Sequence, residues 1–267
     1  MTATATPITN VAVTGGRFSW HELLTTDPVA AQTFYKQVIG WTTTTYEGGT
    51  MDYTMWVAGD APVGGVMTIP PEAAAMNTPP NWLAYVDVTD ADATINKAVS
   101  LGASVLAPAR TVDQVGRFAL LADPQGAVFA VIANATPLPP ERDPAVLEFC
   151  WHELTTTDLP AAIKFYQTLF GWQQLDEFDM GDKGTYHIFG RDQFRYGGMM
   201  RKPEGYEAPP NWLHYIEVDS ADAATERALA AGGKVMLGPM DVPSGARISI
   251  MTDPQGAAFA VHSKAAK

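Results

Sequence analysis

The chain has 267 residues, 46% of them hydrophobic and 17% charged, enough for two ordinary domains that each bury a core. Its formal net charge of −12 argues against nucleic acid and anionic membrane surfaces as partners, because both attract a basic face. One cysteine, Cys150, leaves no internal disulfide, and no stretch approaches the roughly 20 apolar residues of a membrane span.

In chain order, residues 18–24 read as a strand. Asp27 then supplies a helix N-cap and Pro28 the first helical position. Val29, Thr33, Phe34 and Val38 recur at helical spacing, and Gly40 ends the helix. Phe34 and Tyr35 are expected to face the sheet as core. Residues 41–46, 53–58 and 63–69 read as strands, separated by the turn-forming runs Glu47-Gly48-Gly49 and Gly59-Asp60-Ala61-Pro62. The pattern restarts with a strand at 82–88, a helix at 90–101 closed by Gly102, and strands at 104–107, 117–122 and 127–133. Asp123-Pro124-Gln125-Gly126 reads as a hairpin turn. One half is therefore βαβββ followed by βαβββ. The apolar run 147–151 starts the second half as a strand, with Cys150 as a buried structural thiol. Helices are expected near 159–169 and 221–231. The first ten residues show neither a basic n-region nor an apolar h-region, so a cytoplasmic location is expected.

The second half repeats the first. Phe18, Trp20-His21-Glu22-Leu23 return as Phe149, Trp151-His152-Glu153-Leu154, 131 residues on. Thr26-Asp27, Phe34-Tyr35 and Gly40-Trp41 return at the same offset as Thr157-Asp158, Phe165-Tyr166 and Gly171-Trp172. Pro79-Pro80-Asn81-Trp82-Leu83 and Asp123-Pro124-Gln125-Gly126 return 130 residues on. This period is far longer than a solenoid repeat and marks a domain duplication. The expected division is a first domain over 14–135, a proline-rich linker over 136–144 and a second domain over 145–264.

Asp27, Phe34-Tyr35, Gly40-Trp41 and Asp123-Pro124-x-Gly126, with their copies, resemble the motifs of the vicinal oxygen chelate superfamily. That superfamily holds glyoxalase I, bleomycin-resistance proteins, fosfomycin-resistance enzymes and extradiol dioxygenases. The Trp-His-Glu-Leu strand and Pro-Pro-Asn-Trp resemble a tandem-domain actinobacterial group containing mycobacterial glyoxalase-like antigens and proteins named as hydroxylases. The resemblance covers nearly the whole chain. It implies an α+β fold of two tandem glyoxalase-like domains, each made of two βαβββ modules that form a curved sheet around a cavity.

The resemblance also implies a divalent metal held by first-strand and last-strand side chains. The corresponding positions here are Trp20 and Trp151, Leu83 and Leu213, and Ala130 and Ala260. None supplies an N, O or S ligand, so no metal is expected. The alternative is a divalent metal in the second domain, which carries His152, His187, His214 and His262 of the five histidines. The other reading takes the histidines as scattered surface or hydrogen-bonded groups.

Strand alternation aims Trp20, Glu22, Trp151 and Glu153 inward, with Leu83, Tyr85, Asp87, Tyr215, Glu217 and His262. This describes an aromatic, acidic cavity suited to a small organic molecule. Glu22 and Glu153 are the candidate catalytic groups, since a carboxylate on an apolar face needs a partner or a raised pKa. Trp20, Trp151, Tyr85, Tyr215, Asp87, Glu217 and His262 are the candidate ligand contacts. The alternative for both glutamates is a structural role. The expected function is small-molecule binding of the bleomycin-resistance kind. The alternatives are a lyase, isomerase or glyoxalase acting in the second domain, and an interaction protein with vestigial cavities. The partner is a small organic molecule, and the chain is expected as a monomer or homodimer.

Overall fold

The computed structural model describes residues 15–46 and 53–265. The expected turn at Glu47-Gly48-Gly49 lies outside these. The first half runs β1 (Phe18–Thr25), α1 (Pro28–Val38), β2 (Thr42–Tyr46), β3 (Tyr53–Ala58), β4 (Ala61–Thr68), α2 (Pro71–Ala75), β5 (Asn81–Asp87), α3 (Ala91–Ser100), β6 (Ser104–Val112), β7 (Gly116–Ala122) and β8 (Val128–Asn134). The second half runs β9 (Phe149–Thr156), α4 (Leu159–Phe170), β10 (Gln173–Asp179), β11 (Thr185–Arg191), β12 (Phe194–Arg201), β13 (Asn211–Glu217), α5 (Ala221–Ala230), β14 (Lys234–Asp241), β15 (Arg247–Thr252) and β16 (Ala258–Ser263). The short α2 was not expected. Pro71 at its first position and three alanines behind it are sufficient local cause.

Helix starts follow their side-chain caps. Asp27 accepts from the amides of Val29 and Ala30, and Asp158 from that of Ala161. Gly171 ends α4 in the left-handed conformation, at φ 73°.

Each half forms one eight-stranded sheet, in the orders β2-β3-β4-β1-β5-β8-β7-β6 and β10-β11-β12-β9-β13-β16-β15-β14. The central pair, β1 with β5 or β9 with β13, is antiparallel, and each of these strands is parallel to its other neighbour. A register shift leaves Ser19 and Cys150 as bulged residues in β1 and β9.

The sheets are made within halves, but the helix-side cores are not. Phe34, Tyr35 and Val38 of α1 pack with Ile216, Phe259 and Val261 of the second half. Phe165, Tyr166 and Phe170 of α4 pack with Val86, Phe129 and Val131 of the first. The expectation that Phe34 and Tyr35 are core is met, but the sheet covered is largely the other half's. Trp82 and Trp212 are core too, donating to Tyr35 Oη at 2.8 Å and Tyr166 Oη at 3.1 Å.

Candidate functional site

The register of β1 against β5 sets Trp20 opposite Tyr85 and Glu22 opposite Leu83, and Tyr85 lies beside Ala130 of β8. Their side chains share the sheet face turned away from the helices. Glu22 is only 6% exposed there. Its Oε1 accepts from Tyr53 Oη at 2.7 Å and its Oε2 from Tyr85 Oη at 3.3 Å. The Trp20 indole N–H donates to Tyr53 Oη at 3.0 Å, extending the chain by one member.

The second half builds the same arrangement. Tyr186 Oη donates to Glu153 Oε2 at 2.9 Å, and the Trp151 indole donates to Tyr186 Oη at 2.8 Å. Trp20, Glu22, Tyr85 and their copies are therefore brought together, as the alternation implies. Tyr53 and Tyr186 are the members that sequence reasoning missed. Their signal was a tyrosine retained at equivalent places in β3 and β11, outside the strands that the family resemblance singles out.

Burial pushes Glu22 up to about 7, against the opposing pull of the Tyr53 and Tyr85 hydrogen bonds and the charge of Arg110. Burial likewise raises Glu153, against Tyr186 and Tyr215. Burial and the adjacent glutamate raise Tyr85, Tyr186 and Tyr215 well above the ordinary phenol range, so these hydroxyls remain donors at neutral pH. The surroundings of the two glutamates differ in charge. Arg110 lies 4.8 Å from the centroid of the Phe118 ring, which itself meets Tyr85 edge-on. In the second half Met240 takes the place of Arg110, and it faces Ile248 where Arg110 faces Phe118.

The Gly64-Gly65 and Gly197-Gly198 pairs have a physical cause here. A Cβ at Gly65 would fall on Tyr53 Oη, and one at Gly198 on the Tyr186 ring. A Cβ at Gly64 or Gly197 would fall on the His21 or His152 carbonyl of the adjacent parallel strand. Gly198→Ala is expected to push Tyr186 off Glu153 and to lower stability by about 1–3 kcal/mol, the usual cost of overpacking. Urea unfolding followed by tryptophan fluorescence checks this. An unchanged midpoint would remove Gly198 from the argument.

The remaining expected contacts lie further along the same strands. Asp87 accepts from Asn134 Nδ2 at 2.6 Å. Glu217 Oε2 lies 2.8 Å from His262 Nδ1. The bulge brings Cys150 beside Glu217 and His262, and its thiol donates to the Tyr215 carbonyl at 3.5 Å. The thiol is held well above its usual range by burial and by Glu217.

A family-type metal does not fit the glutamate positions. Both oxygens of Glu22 are engaged by tyrosines, and its rung neighbours are apolar or aromatic. Among the described residues neither glutamate belongs to a group of three metal-ligating side chains. Cys150, Glu217 and His262 do form such a group, with donor atoms within 4.8 Å of one another, and these could hold a metal in the second half. The reading of the histidines as scattered needs correction. His21, His152 and His214 come together on the opposite face of the sheets, buried between the two halves. His187 is separate, 3.8 Å from Glu177.

Comparison with known proteins agrees with this architecture. The family model of the glyoxalase/bleomycin resistance protein/dioxygenase superfamily matches residues 148–261, and that of a glyoxalase-like domain matches residues 21–132. A Mycobacterium tuberculosis protein named as a glyoxylase, CFP32, is 32% identical over 248 residues, covering 92% of this chain and 94% of that one. The anthracycline biosynthesis protein DauV of Streptomyces sp. (strain C5) is 30% identical over 266 residues, 92% of each chain. Among solved structures, homoprotocatechuate 2,3-dioxygenase from Arthrobacter globiformis superposes with a TM-score of 0.68 at 14% identity, covering 97% of this chain and 83% of its own. The Mn(II)-bound glyoxalase from Novosphingobium aromaticivorans gives 0.63 at 16% identity, with 95% and 83% covered. With both halves matched and the relatives aligned nearly end to end, the chain belongs to the glyoxalase/bleomycin resistance protein/dioxygenase superfamily, the vicinal oxygen chelate group.

Proposed function

We propose that this protein binds an aromatic small molecule carrying a cationic or hydrogen-bond-donating group, in the clefts around Glu22 and Glu153, without a metal at those glutamates. The observation that carries the reading is the Trp–Tyr–Glu chain present in both halves. It presents a fixed carboxylate between partly exposed aromatic rings. The second cleft suits a cation better, because Arg110 has no cationic counterpart at Met240. The name of DauV ties a relative to the biosynthesis of anthracyclines, which are polycyclic, aromatic and in many cases cationic, and this supports the same ligand class.

The test is a fluorescence and calorimetric titration with daunorubicin and a panel of simpler aromatic amines. Binding is expected, weakened about tenfold or more by Glu153→Gln, the scale of a charge-assisted hydrogen bond. No binding across the panel, or binding indifferent to both Glu22→Gln and Glu153→Gln, would sink the proposal. A second reading is proton transfer on a bound carbonyl compound by the same carboxylates. The relatives named as glyoxylases favour it. Substrate turnover that disappears in Glu153→Gln would select it over binding alone.

A further inference from the structure

The two halves meet through strands β1 and β9, on the sheet faces opposite Glu22 and Glu153. Phe18 packs on His152 with ring centroids 3.7 Å apart, and His21 packs on Phe149, also at 3.7 Å. The His21 and His152 rings lie 5.1 Å apart and nearly parallel, at 12°. Phe18 and Phe149 are repeat equivalents, as are His21 and His152. The contact is therefore self-complementary, like the centre of a two-fold interface.

One element breaks that symmetry. His214 on β13 stands opposite His152, whereas Ala84 stands opposite His21 at the matching place in the first half. His214 Nδ1 lies 3.0 Å from His152 Nδ1, and its ring lies 5.3 Å from that of His21. The three imidazoles are exposed by 5%, 5% and 1% respectively for His21, His152 and His214. Each offers a ring nitrogen within 4.8 Å of the other two. His21 Nε2 and His214 Nε2 are buried with no hydrogen-bond partner among the described residues. A buried polar atom without a partner is unfavourable, and native folds rarely leave two in one cluster unless something occupies the site.

We propose that His21, His152 and His214 form a binding site for a late first-row divalent cation of the zinc class, which pins the two halves together at their pseudo-two-fold contact. The site is distinct from the Glu22 and Glu153 clefts and lies on the opposite sheet face. Three neutral imidazoles are an established donor set for such ions, with a fourth position left for a water or hydroxide. Because the ligands come from both halves, the ion adds a coordinate link between β1 and the β9–β13 pair.

The experiment is a Zn2+ titration of the untagged full-length chain by calorimetry, with bound metal counted by elemental analysis after desalting. Wild type is expected to hold one zinc. His214→Ala is expected to weaken binding at least 100-fold, and His187→Ala, at a histidine outside the cluster, to leave it unchanged. His214→Ala should fold, since alanine is the residue at the equivalent position of the first half, and far-UV circular dichroism checks that it does. Co2+ provides a readout that needs no variant, because four-coordinate cobalt with imidazole ligands gives a visible absorption band. Three results would each overturn the proposal: no zinc retained by wild type, no cobalt band, or zinc binding abolished by His262→Ala and not by His214→Ala. The last would move the ion to Cys150, Glu217 and His262.

Discussion

Either half expressed alone is expected to be unfolded or aggregated, although each contains a complete eight-stranded sheet. The reason lies in the exchanged cores. Tyr35 packs edge-on to Phe259 at 5.2 Å, Phe34 meets the same ring at 5.8 Å, and Val38 completes the patch. The reciprocal patch sets Tyr166, Phe170 and Phe165 around Phe129 at 5.6, 5.9 and 6.2 Å. Each such side chain contributes about 1.5–3 kcal/mol on burial. Re-exposing three on the helix of one half, together with the facing sheet, removes as much as the ~5–15 kcal/mol net stability of an ordinary domain. Polar ties would be lost as well. Arg227 donates to the Val38 carbonyl at 2.7 and 3.0 Å, and the Trp41 indole donates to the Leu147 carbonyl at 2.7 Å. Co-expression of the two halves should recover a soluble complex, visible by size-exclusion chromatography and circular dichroism. A single half that unfolds cooperatively as a monomer would contradict the exchanged-core account.

Asp123→Ala is expected to cost about 3 kcal/mol or more, far beyond a typical turn substitution. Asp123 Oδ1 accepts from the amides of Gln125 and Ala127, both at 2.9 Å, and so closes the β7–β8 hairpin. Its Oδ2 accepts from Tyr166 Oη of the other half at 3.0 Å, which in turn accepts from the Trp212 indole at 3.1 Å. The substitution leaves three donors without an acceptor in a buried setting, each costing about 1–3 kcal/mol. Asp253, Tyr35 and Trp82 form the symmetric network, with the tyrosine 3.3 Å from the carboxylate. Tyr166→Phe removes two bonds, the one to Asp123 and the one from the Trp212 indole, but leaves the turn amides paired, and should cost about 2 kcal/mol. Asp123→Asn keeps an acceptor and should fall between the two. Urea midpoints for the three variants give the order directly. Equal effects for Asp123→Ala and Tyr166→Phe would show that the turn amides find other partners.

Much of the fold was legible because its signals are local. The caps at Asp27 and Asp158, the helix-ending Gly40 and Gly171, and the Asp-Pro-Gln-Gly turns act within a few residues. The inward set on β1 and β9 followed from alternation, and the Glu22 and Glu153 surroundings largely agree with it. The missing members, Tyr53 and Tyr186, sit two strands away from the glutamates in sheet order. Which residues of β3 and β11 come level with them depends on hairpin registers that are themselves shifted by irregularities.

By itself, then, the sequence determined the duplication, the order of elements and which face of each strand is apolar, because those properties are written in repeats, caps and two-residue periodicity. Only the tertiary structure decided what covers each face. An apolar stripe on α1 or α4 shows that something must bury it, but not that the other half does. In the same way, His21, His152 and His214 look unremarkable on three separate strands. They become one cluster only when two sheets pack along β1 and β9, since proximity across 131 and 62 residues of chain is set by long-range packing and not by spacing.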